Sequence, residues 1–285
     1  SLVCLAMLFW GGTFIAGRVV APVMQPETVA FFRFLLASVF LSLWIGYRHG
    51  RFPPLSWRQA VGVLLLGLTG VLVYNLFFFA GLRTVEAGRA ALIIAINPVI
   101  IALASAMFFA EPLGGRRLLG IGLSVAGATL VISHGDYAAM LGSGLGAGEL
   151  YLLGCVLSWA AYTLIGRRLL HDLSPLITVS YASLAGTLLL GIVVLHEGVA
   201  FAVDVPTAPQ ALLGIVYLAL FGTVLAFVWF YRAVQELGPL VAGQFINLVP
   251  VAAVALGVVF LGEPLTVPVV AGGVMVLSGL WLSHR

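Results

Sequence analysis

The sequence predicts an all-α membrane protein, with ten transmembrane helices arranged as two inverted five-helix repeats around a central cavity. Three observations carry that prediction. The 285 residues are 62% hydrophobic and 8% charged, with mean hydropathy +1.18. A soluble domain carries about 25% charged residues, so this chain lacks the polar surface to face water. Apolar runs of about 20 residues, enough to span a hydrocarbon core about 30 Å thick, follow one another along the whole chain. Finally, the stretch Gly81 to Pro112 is echoed by Ala233 to Pro264. Pro98 matches Pro250, Glu111 matches Glu263 and Pro112 matches Pro264, each pair 152 positions apart.

Taken in order, helix 1 (2–20) opens in an apolar run with no basic region and no cleavage site before it. It reads as a first transmembrane helix lacking its leading residues, not as a signal peptide. Cuts at charge, Pro and Gly clusters bound helix 2 (27–46), helix 3 (58–80), helix 4 (85–109) and helix 5 (114–133). The same cuts give helix 6 (149–167), helix 7 (175–195), helix 8 (209–231), helix 9 (239–261) and helix 10 (265–283). The longest connections are the Gly-rich Ser133–Gly148 and His196–Gln210, which leaves no room for a soluble domain. The helices are apolar on most faces, which excludes a soluble amphipathic bundle.

All thirteen basic residues are Arg. They sit between apolar runs and not on one stripe, so nucleic acid is not an expected partner. With the N-terminus in the cytoplasm, Arg48, Arg51, Arg58, Arg116, Arg117, Arg167, Arg168, Arg232 and Arg285 lie inside. Arg18, Arg83 and Arg89 lie outside, and Arg33 sits a turn and a half into helix 2, where snorkelling to the outer surface is expected. This inside excess of Arg puts both termini in the cytoplasm and requires an even number of helices. Cys4 and Cys155 fall inside apolar runs and read as small buried residues, not a disulfide.

Trp10, Gly17 and Arg18 recur as Trp159, Gly166 and Arg167, 149 positions on. Residues 1–133 (helices 1–5) therefore correspond to residues 149–285 (helices 6–10). Five is odd, so the second copy enters the membrane inverted. Secondary transporters build alternating access around a midplane site from such repeats.

The run Trp10-Gly11-Gly12-Thr13-Phe14, the segment Phe109-Ala110-Glu111-Pro112-Leu113 and the segment Leu261-Gly262-Glu263-Pro264-Leu265 resemble the drug/metabolite transporter superfamily, and within it the ten-helix EamA-type transporters. The nearest likeness is to YddG-type exporters of aromatic and other amino acids. The resemblance covers the whole chain. It implies a central cavity lined by helices 1, 3, 4, 6, 8 and 9, with helices 5 and 10 peripheral. It leaves the substrate open, because the superfamily moves amino acids, nucleotide sugars, sugar phosphates and toxic cations.

Candidate cavity residues fall into three groups. Asn75, Asn97, Gln244 and Asn247 carry amides that cost free energy if unpaired in lipid, and Thr13, Tyr162 and Thr163 add hydroxyls. The competing reading for each is an interhelical hydrogen bond worth about 0.6 kcal/mol. Trp10 and Trp159 occupy equivalent mid-depth positions, and Tyr74 and Phe78 are a turn apart on helix 3. Together these rings suit an aromatic side chain or an organic cation. Arg89, on helix 4, is placed to meet a carboxylate at the outer mouth, with Glu86 as a competing local partner. Pro98 and Pro250 remove a backbone hydrogen bond in mid-helix and read as a hinge pair or as static kinks.

Every Asp, Glu and His falls in a loop or at a helix end. An intramembrane proton relay needs such a group at depth, so facilitated, gradient-driven transport is expected, with Glu86 the acid best placed to support coupling. No phosphate-binding loop, metal-ligand spacing or Ser/His/Asp set is present. The sequence therefore predicts neither an enzyme nor a cofactor or metal site. The expected function is a secondary exporter of small metabolites, amino acids including aromatic ones, in the bacterial inner membrane. Its partners are the substrate and the lipid bilayer; the sequence leaves the oligomeric state open, a monomer being one admissible state. The alternatives are a nucleotide-sugar or drug-cation transporter of the same fold, and a non-transporting membrane scaffold.

Overall fold

The computed structural model describes residues 2–20, 24–82, 84–85, 87–133, 135–136, 146–196, 209–261 and 265–284. Among these residues every regular element is helical. Seven helical stretches are long and apolar enough to cross a membrane: Glu27–His49, Trp57–Leu82, Gly115–Ser133, Ala147–Leu169, Pro175–His196, Pro209–Leu237 and Pro239–Phe260. Leu2–Gly17, Asn97–Phe109 and Val267–Ser283 are shorter apolar helices.

The elements run α1 (Leu2–Val20), α2 (Pro26–His49), α3 (Trp57–Leu66), α4 (Tyr74–Leu82), α5 (Ala87–Ile94), α6 (Asn97–Phe109) and α7 (Gly115–Ser133). They continue with α8 (Ala147–Leu169), α9 (Pro175–His196), α10 (Pro209–Ala219), α11 (Ala226–Leu237), α12 (Pro239–Gln244), α13 (Leu248–Leu261) and α14 (Val267–His284). A π-helical segment, Gly67–Val73, joins α3 to α4, and a second, Leu220–Leu225, joins α10 to α11. Such segments widen one turn and free carbonyls from the regular ladder. Ser158 Oγ donates to Thr69 O in the first at 2.6 Å, and Trp10 Nε1 donates to Gly222 O in the second at 2.9 Å.

The two proline positions are breaks in the helix and not smooth mid-helix kinks. α5 ends at Ile94, and α6 restarts at Asn97 with Pro98 in its first turn. A 3₁₀ turn, Phe245–Asn247, separates α12 from α13, which carries Pro250 near its start. Proline has no N–H to offer the carbonyl four residues back. For Pro98 that carbonyl is Ile94 O, and it accepts Asn97 Nδ2 instead, at 3.1 Å.

Packing is set by close approaches between the N-terminal and C-terminal parts of the chain. α1 packs on α13, α4 on α8, α2 on α9 and α6 on α12. α7 and α14 form the most extensive pair. A Cβ added at Gly120 would lie 2.6 Å from Gly279 O, and one at Gly127 would lie 2.6 Å from Gly272 O. The order 120 with 279 and 127 with 272 makes the two helices antiparallel. Small residues let backbones meet where lipid offers no hydrophobic drive to associate. Ser38 Oγ and Thr187 Oγ1, 149 positions apart, share a buried hydrogen bond of 3.1 Å between α2 and α9.

Candidate functional site

The middle of the bundle is aromatic. Trp159 sits midway along α8, and its ring centroid lies 5.5 Å from Trp10, 5.6 Å from Tyr74, 5.1 Å from Tyr162 and 5.5 Å from Phe227. Phe230 closes on both tryptophans, at 5.4 Å from Trp10 and 5.7 Å from Trp159. Tyr162 stacks on Tyr231 at 4.8 Å, and the Tyr231 hydroxyl donates to Tyr162 O at 2.9 Å. Tyr74 stacks on Phe78 at 6.0 Å. Trp159 and Tyr162 are buried, whereas Trp10, Tyr74 and Phe78 keep accessible surface. The rings come from α1, α4, α8 and α11, so no single helix makes the site.

Several polar groups named from the sequence are already engaged within their own helix. Thr13 Oγ1 donates to Trp10 O at 2.6 Å, Thr163 Oγ1 to Trp159 O at 2.9 Å, and Asn75 Nδ2 to Val71 O at 2.5 Å. The Val71 carbonyl belongs to the first π segment, so Asn75 turns back onto that segment. Asn247 Nδ2 reaches Ser124 Oγ on α7 at 3.1 Å, tying the 3₁₀ turn to that helix.

A different group is left unsatisfied. Asn97 and Ser105 lie two turns apart on one face of α6. Ile101, between them, faces α12, where a Cβ at Gly243 would meet Ile101 Cγ2 at 3.0 Å. Gln244 follows at the end of α12. Asn97 Oδ1, Ser105 Oγ, both polar side-chain atoms of Gln244, and Asn247 Oδ1 are buried with no hydrogen-bond partner. Each such group costs about 1–3 kcal/mol. Five such atoms, on four side chains beside two broken helices, mark a place where further donors and acceptors are needed.

The side chain of Arg89 lies outside the described residues, although its backbone is in α5. Arg83, Glu86, Glu263 and Pro264 also lie outside the described residues. Arg33 does not snorkel. Its Nε donates to Thr223 Oγ1 at 2.7 Å and its Nη2 to Gly222 O at 3.2 Å, both in the second π segment. Gly222 O also accepts from Trp10, so the guanidinium shares an acceptor with the aromatic centre. Depth along one helix does not reveal this, because the partners are 190 positions away.

Hydrogen bonds bridge two helices at one end of the bundle. Arg167 Nη1 donates to Val234 O at 3.2 Å and Gln235 O at 2.8 Å, and Gln235 Nε2 donates back to Leu170 O at 2.7 Å. Arg168 lies over the Phe109 ring at 5.9 Å. Glu111, just past α6, approaches Gly238 and accepts the Leu240 N–H at the start of α12. Burial raises the Glu111 carboxyl above its ordinary value, against the opposing pull of Arg167, Arg117 and the Leu240 N–H. A raised carboxyl means that the folded state holds the proton more tightly than the unfolded state. That contribution to stability is present at low pH and is lost as pH rises through the folded-state value. Glu111→Gln should therefore melt above the parent protein in alkaline buffer, with the gap closing as pH falls towards the ordinary carboxylate range. Melting temperatures in detergent across a pH series test this, and a gap independent of pH contradicts it.

Comparison with known proteins agrees with this architecture. The model of the EamA-like transporter family matches residues 1–133 and 146–285. The chain is 28% identical over 274 residues to an uncharacterized transporter, YyaM, of Bacillus subtilis, covering 96% of this chain and 89% of the relative. It is 29% identical over 283 residues to an uncharacterized transporter of Archaeoglobus fulgidus, covering 99% and 96%. It is 28% identical over 281 residues to a probable terminal-alkyne amino-acid exporter of Streptantibioticus cattleyicolor, covering 99% and 91%. A solved crystal structure superimposes with a TM-score of 0.81 over 99% of this chain and 94% of its own, at 20% identity, a likeness that concerns the fold alone.

Proposed function

Because the chain belongs to the EamA-like transporter family, we propose that it is a secondary exporter of small metabolites, amino acids with aromatic side chains among them, and that it works by alternating access. In this reading ten transmembrane helices form two inverted halves, residues 1–133 and 149–285, in a bacterial inner membrane with both termini in the cytoplasm. The observation that carries it is the contact between Trp10 and Trp159 at 5.5 Å. These residues are 149 positions apart, and equivalent residues of two copies touch only at the axis relating the copies. Ser38 and Thr187, also 149 apart, touch in the same way. The antiparallel order of Gly120 with Gly279 and Gly127 with Gly272 supports opposite insertion of the two halves.

The aromatic centre then receives the substrate side chain. The buried amides of Asn97, Gln244 and Asn247 supply donors and acceptors along the route, and Tyr74 and Phe78 flank it. The breaks before Pro98 and Pro250 act as hinges, since a helix already interrupted there bends without losing further ladder bonds. Arg167, Gln235 and Glu111 form the latch on the cytoplasmic side, which must open for loading. Arg89 sits towards the opposite mouth. Buried, unpartnered polar atoms on Asn97, Ser105, Gln244 and Asn247 favour a solute-handling role over a purely structural one.

Counterflow tests this reading. Proteoliposomes loaded with an unlabelled amino acid should take up the labelled form to a transient overshoot, without ATP. Absence of exchange for every amino acid, with exchange of another class of solute, would overturn the substrate assignment.

A further inference from the structure

We propose that the Arg33 guanidinium is the anchor for the carboxylate of the substrate, which restricts the cargo to carboxylate-bearing solutes. This rests on the transporter reading above and names the chemical group its central site selects.

Four observations converge on Arg33. The first is depth. Its partner Thr223 lies 14 residues from each end of the Pro209–Leu237 span, or about 21 Å from either end at the helical rise. The second is unused capacity. A guanidinium has five N–H donors, and Arg33 employs Nε on Thr223 and Nη2 on Gly222 O. Among the described residues Nη1 has no partner, and no carboxylate pairs with the group. A cation held at mid-depth costs about 2.5–3.5 kcal/mol on insertion scales, and a substrate carboxylate would offset that cost. The third is access. Arg33 keeps accessible surface, and its helix packs on α4, the helix that carries Tyr74 and Phe78. The fourth is placement. Sharing Gly222 O with Trp10 puts the charge at the edge of the ring cluster, where a ligand can present a carboxylate to one and an apolar side chain to the other. That carbonyl belongs to the second π segment.

The remaining donor edge fits a planar carboxylate, which guanidinium binds through two parallel hydrogen bonds. A phosphate dianion would call for a second cation. Among the described side chains the other arginines lie towards helix ends or in loops.

The test uses the full chain in proteoliposomes. Counterflow of labelled phenylalanine, leucine and threonine is competed with each amino acid, its carboxamide, its decarboxylated amine and a sugar phosphate. The parent protein should prefer the acid over amide and amine by about 10- to 100-fold, the affinity carried by a charge-assisted hydrogen bond. The sugar phosphate should not compete. Arg33→Gln should bring the acid-to-amine ratio close to one, with Arg33→Lys between. A merely structural role for Arg33 would lower all rates together and leave that ratio unchanged. The proposal is overturned if the parent protein accepts amine and acid equally, if the sugar phosphate competes best, or if Arg33→Gln retains the preference. In each of those cases solute exchange persists and the transporter reading stands. Absence of exchange for any solute removes both. Should Arg33→Gln fail to fold, the competitor series on the parent protein and on Arg33→Lys still decides.

Discussion

Trp159→Ala is expected to destabilise the protein by about 3–5 kcal/mol, the usual cost of emptying a buried tryptophan site, and to weaken substrate exchange by about tenfold or more. Trp159 is the ring on which the others converge, with Trp10, Tyr74, Tyr162, Phe227 and Phe230 all within 5.7 Å. Its removal leaves a void that those rigid neighbours cannot fill by small shifts, because Tyr162 is held by Tyr231 and Trp10 by Gly222 O. Trp159→Phe keeps a ring in place and should recover most of the stability while remaining impaired in exchange. Unfolding in mixed micelles together with counterflow rates measures both effects. Wild-type exchange in a folded Trp159→Ala protein would remove the aromatic centre from the substrate path.

Gly127→Leu is the second large effect expected, through the seam between α7 and α14. Its Cβ would lie 2.6 Å from Gly272 O, 2.7 Å from Met275 Cβ and 2.7 Å from Val276 N. Two of these are backbone atoms that cannot rotate away, so the helices must separate. Overpacking of this kind costs about 1–3 kcal/mol, and here the loss of contact along the seam adds to it. Gly122 on the same helix has open space at its Cβ position, so Gly122→Leu should melt within a degree or so of the parent protein, as surface changes do. If the two variants melt alike, the seam does not hold these helices together.

The helical, membrane-spanning character was legible because it depends on composition, and long apolar runs with short connections leave few alternatives. The rings of Trp10, Tyr74, Phe78, Trp159 and Tyr162 were legible as a group because size and apolarity drive them inward wherever the chain takes them. Other features were hidden for physical reasons. A π segment inserts one residue into a turn without altering the apolar pattern around it. The only trace is a pair of glycines, Gly62 with Gly70, repeated as Gly214 with Gly222 at a spacing of 152. The sequence places Thr13, Thr163 and Asn75 on the bundle helices, but not where their hydrogen bonds go. Each turns back on a carbonyl of its own helix, a choice made by local rotamers. Snorkelling is the cheapest fate for a charge judged from one helix alone, and Arg33 departs from it. Its partners are the Thr223 hydroxyl and the Gly222 carbonyl, in a π segment that the apolar pattern conceals.

The central claim is one site reached alternately from both faces of the membrane, and a cysteine at Tyr74 tests it most directly. With Cys4 and Cys155 replaced by serine, Tyr74→Cys is labelled by a membrane-impermeant thiol reagent added to either face of oriented vesicles. Labelling is expected from each face in turn, with the rate from one face falling when conditions raise it from the other, and with protection by the exchanging amino acid. Labelling from neither face, or rapid labelling from both at once without protection, would contradict it.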